Sequence, residues 1–328
     1  MLVETSTPTI ESDLAFCDDL KRNLDCLIGL VGPYATASPE ECLADQSVDA
    51  VLKGEYEWNS IRFVESEEPG IYDYEITRDL DSLPMPVRRD IIFRKVLARN
   101  GTFGARSKNQ EQMWGSRGCP YRCSFCAWPP IMYNNAGYRP RSPEGIAEEL
   151  DYLIRKRGGR DFFVWFDDDT FNIGDRRMMQ IADVFAERGV EYAAMCRADT
   201  IRRYETLEHM RRCGFVGCVI GVESGCQSLV DACNKKLDLD DVRKFMDWAR
   251  KLGIFVHMTF TFGLPGETQE TVEETKRFIE EMRPDSYQTS GCAPVKGTAY
   301  YDELKAKGII DAGTKLDGLS IVNMEGAR

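Results

Sequence analysis

The sequence predicts a parallel α/β fold, in which a small, incomplete Rossmann-like unit precedes a partial barrel of six βα units. Three observations carry this. From Gln112 onward short β-type runs alternate with helical patterns, the arrangement of parallel strands joined by crossover helices. The first 110 residues repeat that alternation on a smaller scale. A hydrophobic share of 43% over 328 residues then suits one large domain or two moderate ones.

The elements follow in order. In the first part, Leu2–Glu4, Cys26–Val31 and Ala50–Lys53 read as three strands, with helices over Glu11–Asn23 and Pro39–Leu43. In the second part, strands are expected at Met113–Ser116, Phe162–Phe166, Tyr192–Cys196, Gly217–Val222, Phe255–Phe262 and Ser286–Gly291. Ser142 is a good N-cap, Pro143 suits the first helical position, and Ile146, Leu150, Leu153 and Ile154 repeat at helical spacing. Further helices are expected over Met178–Arg188, Leu207–Cys213, Leu239–Leu252 and Thr271–Met282. The resulting division is 1–80 for the small unit, 81–111 for a linker, 112–310 for the barrel and 311–328 for a C-terminal tail.

Composition narrows the function. The formal net charge of −12 argues against broad nucleic-acid binding, which needs a basic surface. The longest apolar stretches, Cys26 to Val31 and Gly214 to Val222, are too short to span a bilayer. With no signal-peptide pattern, the thiols read as cytosolic, and a cytoplasmic location is expected. One basic interval, Arg88 to Lys108, reads either as solvated linker surface or as a phosphate contact.

Chemistry concentrates in Gly118-Cys119-Pro120-Tyr121-Arg122-Cys123-Ser124-Phe125-Cys126. Its C-x-x-x-C-x-x-C spacing can hold three irons of a [4Fe–4S] cube and leave the fourth open, whereas an electron-carrying cluster normally has four thiolates. A structural zinc site would want a fourth Cys or His nearby, and the two histidines, His209 and His257, lie far along the chain. The other nine cysteines read as small buried hydrophobes.

This spacing, with an aromatic just before the last cysteine, resembles the signature of the radical S-adenosylmethionine (SAM) superfamily. The resemblance implies that Cys119, Cys123 and Cys126 ligate the cluster, that SAM binds the open iron, and that one electron from an external flavodoxin- or ferredoxin-type reductant cleaves SAM to a 5′-deoxyadenosyl radical. It extends to four more strand ends. Asp167-Asp168-Asp169 occupies the place of a motif for the methionine amino group, with a solvated turn or helix N-cap as the plain alternative. Arg197 in Cys196-Arg197-Ala198-Asp199 is a carboxylate clamp or a structural salt bridge. Glu223 and Ser224 stand in Gly221-Val222-Glu223-Ser224-Gly225, and Gly263 opens Gly263-Leu264-Pro265-Gly266-Glu267-Thr268. Phe125 packs near the adenine or shields the cluster. No side chain beyond the cluster ligands is assigned to the chemical step.

Gly29 to Thr36 and Val48 to Glu57 resemble the second half of the cobalamin-binding domain that precedes many radical SAM domains, here apparently truncated. The D-x-H-x-x-G loop is absent, and no histidine precedes His209. Trp128-Pro129-Pro130 followed by Tyr138-Arg139-Pro140-Arg141-Ser142 resembles the subgroup with hopanoid and porphyrin substrates. Hydrogen abstraction from an unactivated carbon is therefore expected, for methylation or rearrangement of a small, apolar or lipid-like metabolite, with cobalamin left open as methyl carrier. The alternatives are a methylthiotransferase, which needs a second cysteine triplet where Cys17, Cys26 and Cys42 do not obviously converge, a non-catalytic iron–sulfur protein, and an inactive fragment.

Overall fold

The computed structural model describes residues 1–88, 103–107 and 109–311. Most of the basic interval (Arg89, Arg94, Lys95, Arg99 and Lys108) and nearly all of the expected tail lie outside the described residues, as does the middle of the expected linker.

The first sheet has the order β1 (Leu2–Glu4), β2 (Gly29–Val31), β3 (Ala50–Leu52), β4 (Gly70–Tyr72), all parallel. Helices α1 (Ile10–Asn23), α2 (Pro33–Ala37), α3 (Pro39–Leu43) and α4 (Glu57–Ser66) connect them. Helix α1 carries acids in its first turn and Lys21 and Arg22 in its last, matching the helix dipole. Asp49 ties this helix to the sheet, accepting from Ile28 N and Lys21 Nζ, both at 2.6 Å. Three strands were expected and four are present. Unlike the equally short but fully buried β2 and β3, β4 has only one aliphatic residue, exposed, between Gly70 and Tyr72, and its place comes from pairing with β3 rather than from its own pattern. Cys17 and Cys42 share one buried core, with Cys26 packed against it, so these three do gather. Burial, then nearby acids, pushes Cys17 to about 11 and Cys42 to about 12, as befits inert core thiols.

The second sheet has the order β12-β11-β10-β9-β8-β5 and is parallel throughout. Its strands are β5 (Gln110–Met113), β8 (Phe163–Phe166), β9 (Glu191–Cys196), β10 (Phe215–Glu223), β11 (Phe255–Phe262) and β12 (Ser286–Gly291). A small antiparallel ribbon, β6 (Ser116–Arg117) with β7 (Arg139–Pro140), brackets the cysteine loop. The first barrel strand ends at Met113, not at Ser116. Asp168 accepts from Gly115 N at 2.8 Å and from the Ser116 hydroxyl, drawing the chain out of the ladder.

Helix α5 (Pro143–Arg157) is capped as expected, with Gly145 N donating to Ser142 Oγ at 2.9 Å. Around the sheet follow α6 (Asp175–Arg188), α7 (Tyr204–Arg212), α8 (Gln227–Ala232), α9 (Leu239–Leu252), α10 (Gln269–Met282) and α11 (Ala299–Ala306). The short α8 and α11 were not foreseen. Phe166, Phe171, Phe185, Tyr192 and Phe215 form a chain of ring contacts in the core between the sheet and α6 and α7. No described helix is long and apolar enough to cross a membrane.

Candidate active site

The cysteine loop leaves β6 at the C-terminal end of the barrel. Gly118 has φ 81°, and a Cβ there would stand 2.0 Å from Gly137 O, so only glycine fits the turn. Gly118 N donates to Asp169 Oδ2 at 2.8 Å, and Ser124 N to Cys233 O at 2.9 Å. Cys119, Cys123 and Cys126 are all free and partly buried. They lie within electrostatic reach of one another, and burial pushes the Cys126 thiol up to about 12. Burial also raises Cys123, against the pull of Lys235 and Arg197. Three partly buried thiols on one loop, flanked by two buried cations, suit a thiolate-ligated anionic cluster, which displaces their protons on binding.

The strand-end residues separate by role. Asp167 is exposed at the barrel mouth. Asp168 is fully buried, its carboxyl pushed up to about 7 by desolvation, which outweighs the hydrogen bonds from Ser116 and Gly115. Asp169 holds the cysteine loop through Gly118, and burial raises it as well. None of the three caps a helix, since the N-cap of α6 is Gly174. Arg197 forks onto Asp199 at 2.9 and 2.8 Å and lies 3.5 Å from the Tyr121 ring centroid, bracing the cysteine loop from beneath.

Glu223 stands at the end of β10 with φ 71°, where the pairing register shifts. Its carboxylate accepts from Lys235 Nζ at 2.9 Å and Thr261 Oγ1 at 2.8 Å. Ser224 turns inward to Thr275 Oγ1 at 3.0 Å and to Cys226 N at 3.1 Å. Gly263 N donates to Glu267 at 2.7 Å, and its carbonyl accepts from the Tyr300 hydroxyl at 2.9 Å. Phe125 packs against a cluster that includes Cys233, Leu264, Cys292 and Tyr300. Sequence reasoning missed Lys235. Burial alone would favour its neutral form, yet the charges of Glu223 and Cys123 raise it above the usual lysine value. The signal was faint: one lysine of a surface-looking Asn-Lys-Lys run, twelve residues beyond Glu223.

Both sheets open on a shared cavity of about 430 Å³. Its walls are Glu4 at the end of β1, Gly54 to Glu57 after β3, Trp114 after β5, Arg117 of β6, Asp167 to Asp169 after β8, and Cys119 and Cys126 with Trp128, Met132 and Tyr133. Sites in parallel α/β folds gather at these carboxyl ends. Glu55 joins the small sheet to the β6–β7 ribbon that brackets the cysteine loop. It accepts from Arg139 twice at 2.8 Å and from Arg117 at 3.0 Å, and although burial pushes its pKa up, these arginines hold it below the usual carboxylate range.

A parallel six-stranded barrel whose mouth carries three convergent thiols is the architecture of a cluster-bearing enzyme. The chain belongs to the radical SAM superfamily, whose family model matches residues 115–279. The three-cysteine loop fits the [4Fe–4S] cluster and SAM of that superfamily, and the chain's relatives include methyltransferases and cyclases. The anaerobic magnesium-protoporphyrin IX monomethyl ester cyclase of Cereibacter sphaeroides is 29% identical over 195 residues, covering 58% of this chain and 31% of that protein. The bacteriochlorophyllide d C-8(2)-methyltransferase of Chlorobaculum tepidum is 22% identical over 326 residues, covering 94% and 69%. Among solved structures, the radical SAM methyltransferase TsrM of Kitasatospora setae, with tryptophan and a SAM analogue bound, superposes with a TM-score of 0.73 at 15% identity, over 94% of this chain and 65% of that one. TsrM has also been solved with cobalamin and a [4Fe–4S] cluster bound. The chain thus spans from about a third to about two thirds of the length of these proteins.

Proposed function

We propose that this protein abstracts hydrogen from an unactivated carbon of a small, apolar or lipid-like metabolite and so drives its methylation or rearrangement, with cobalamin as methyl carrier at the mouth between the two sheets. The observation that carries this reading is the cavity shared by the strand ends of both sheets and by two cluster cysteines. Trp114, Trp128, Met132, Tyr133 and Met195 give it an aromatic and thioether wall suited to an apolar substrate.

When bound, the cluster and SAM supply reductive cleavage to a 5′-deoxyadenosyl radical. The protein's own residues bind and orient. Cys119, Cys123 and Cys126 hold the cluster. Glu223, paired with Lys235, offers its carboxylate to the ribose or ammonium of SAM, and the exposed Asp167 faces the same ligand from the opposite strand end. Lys235 is placed to neutralise the SAM carboxylate. Asp168, Asp169, Arg197 and Ser224 position the loops that carry these groups, Gly263 lets the backbone pass close, and Phe125 shields the cluster. We assign 1–80 to a partial cobalamin-binding unit, 81–111 to a linker, 112–310 to the barrel and 311–328 to a tail. The four small-sheet strands run in sequence order and have no switch point of their own. A carrier would therefore depend on the barrel mouth for its second wall.

Anaerobic reconstitution with iron, sulfide and hydroxocobalamin tests both halves. The reduced protein should form 5′-deoxyadenosine and retain one cobalt per chain, and the Cys119, Cys123 and Cys126→Ala variant should do neither the cleavage nor the cluster assembly. A variant that keeps the cluster, with no 5′-deoxyadenosine from the parent, would sink the central reading. Cluster without cobalt would remove the methyl carrier.

A further inference from the structure

The outer face of the barrel carries a group of side chains that the chemistry at its mouth does not use. Asp183 on α6 meets His209 on α7 and Cys213, the residue that ends α7. His209 Nε2 stands 2.7 Å from Asp183 Oδ1, and Cys213 Sγ stands 3.6 Å from the same nitrogen. All three donor atoms lie within 4.8 Å of one another. His209 and Cys213 are four residues apart, so one helix face presents both, and the neighbouring helix supplies the carboxylate.

Two ordinary readings fall short. A surface ion pair accounts for Asp183 and His209, and core packing for the body of Cys213, but neither accounts for the thiol's sulfur lying 3.6 Å from the imidazole nitrogen that faces the carboxylate. A nucleophilic relay needs thiol and carboxylate on opposite ring nitrogens, so that the imidazole takes a proton at one and is oriented through the other. Here both converge on Nε2, which is the geometry a cation calls for. Donors about 2.0–2.3 Å from a tetrahedral zinc ion stand roughly 3.3–3.7 Å apart. The His209–Cys213 separation of 3.6 Å already meets this. The 2.7 Å Asp183–His209 contact must open by about 0.6 Å to reach that tetrahedral range, and the Asp183 side chain, 60% exposed, can swing to do so.

We infer that Asp183, His209 and Cys213 form a three-ligand site for a borderline-soft divalent cation of the zinc class, its fourth position open to water, stapling α6 to α7. A carboxylate, an imidazole and a thiolate select this class over magnesium or calcium, which take oxygen donors. The site is independent of the cluster loop and needs no partner.

Zinc binding to cluster-loaded protein tests it, because the cluster cysteines are then occupied. After anaerobic incubation with zinc and desalting, the parent should retain one zinc per chain, and the His209→Gln, Cys213→Ser double variant none, at equal iron content. Equal zinc in the two, or none in the parent, overturns the site. Should the double variant lose its cluster or its fold, Asp183→Asn, an exposed change, replaces it. That variant should bind zinc at least tenfold more weakly, and unchanged affinity would overturn the proposal in the same way.

Discussion

The small sheet and the barrel sheet follow one plan and differ in what holds them. Both are parallel, both run their strands in sequence order, and both aim their carboxyl ends at the same cavity. The small sheet has strands of three residues, two small clusters of aliphatic residues with two thiols and one phenyl ring, and an outer strand, β4, that leaves Ile71 40% exposed. The barrel has strands of up to nine residues and a continuous aromatic and aliphatic core. The difference teaches that the barrel can position its site alone, whereas the small sheet takes its placement from the barrel through Glu55, Arg117 and Arg139.

Cutting that tie gives the largest expected effect. Glu55→Ala leaves the Arg139 guanidinium, 6% exposed, without its carboxylate, a loss of about 3–5 kcal/mol for a broken buried pair. Denaturation should split into two transitions, with the small sheet melting first and the cluster retained. An unshifted single transition would mean that the two sheets are held by something else. Acid should act in the same direction. The arginines hold Glu55 below its unfolded value despite burial, so its stabilisation is present above that value and is lost as pH falls through the folded one.

Next comes the barrel core. Ile220, fully buried in the middle of β10, should cost about 2–5 kcal/mol when cut to alanine, with the cluster and the small sheet lost in the same transition. Retention of cluster in the destabilised variant would show that the cysteine loop folds more independently than the comparison implies.

Legibility in the sequence follows the same divide. β11 and α9 are bounded where the alternation and the helical period place them, because an eight-residue half-buried strand and an amphipathic helix write their environment into many residues, and the mostly exposed β12 also keeps its expected bounds. β4, with one exposed aliphatic residue, and α8, six residues long, carry too little pattern to be read. The site divides similarly. The cysteine spacing is local chemistry and can be read directly, but the roles of Asp168, Arg197 and Lys235 depend on partners 52, 76 and 112 residues away, and no local pattern encodes those contacts. Thus Asp168, which reads as a ligand contact, is a buried brace for Gly115, and Lys235, which reads as surface, faces the cluster loop.

Asp168 is the next test, because it stands where a ligand contact was expected and acts on the fold. Asp168→Ala leaves Gly115 N and the Ser116 hydroxyl without an acceptor in the interior, at about 1–3 kcal/mol. Asp168→Asn should keep most of the stability and change its pH dependence. With the folded carboxyl pushed up to about 7, Asp168 favours the folded state below its unfolded value, and this contribution is lost as pH rises through 7. The asparagine variant should lack that decline in urea midpoints measured from pH 4 to 8. An identical slope in parent and variant would place the perturbation elsewhere.

The smallest effect is the most discriminating for the comparison. Ile71 lies in β4, paired among the described residues with β3 alone, at Val51, and its side chain is 40% exposed at the outer edge. Ile71→Ala therefore removes less buried surface than a core truncation and should shift stability by no more than about 1 kcal/mol, about two- to fivefold below Ile220→Ala in β10. A urea midpoint within that range, beside a large shift for Ile220→Ala, would confirm that the small sheet rests on its inner strands and on Glu55. A loss of several kcal/mol would instead require that something covers the β4 edge, and the two sheets would then differ in what each is paired with rather than in how each is packed.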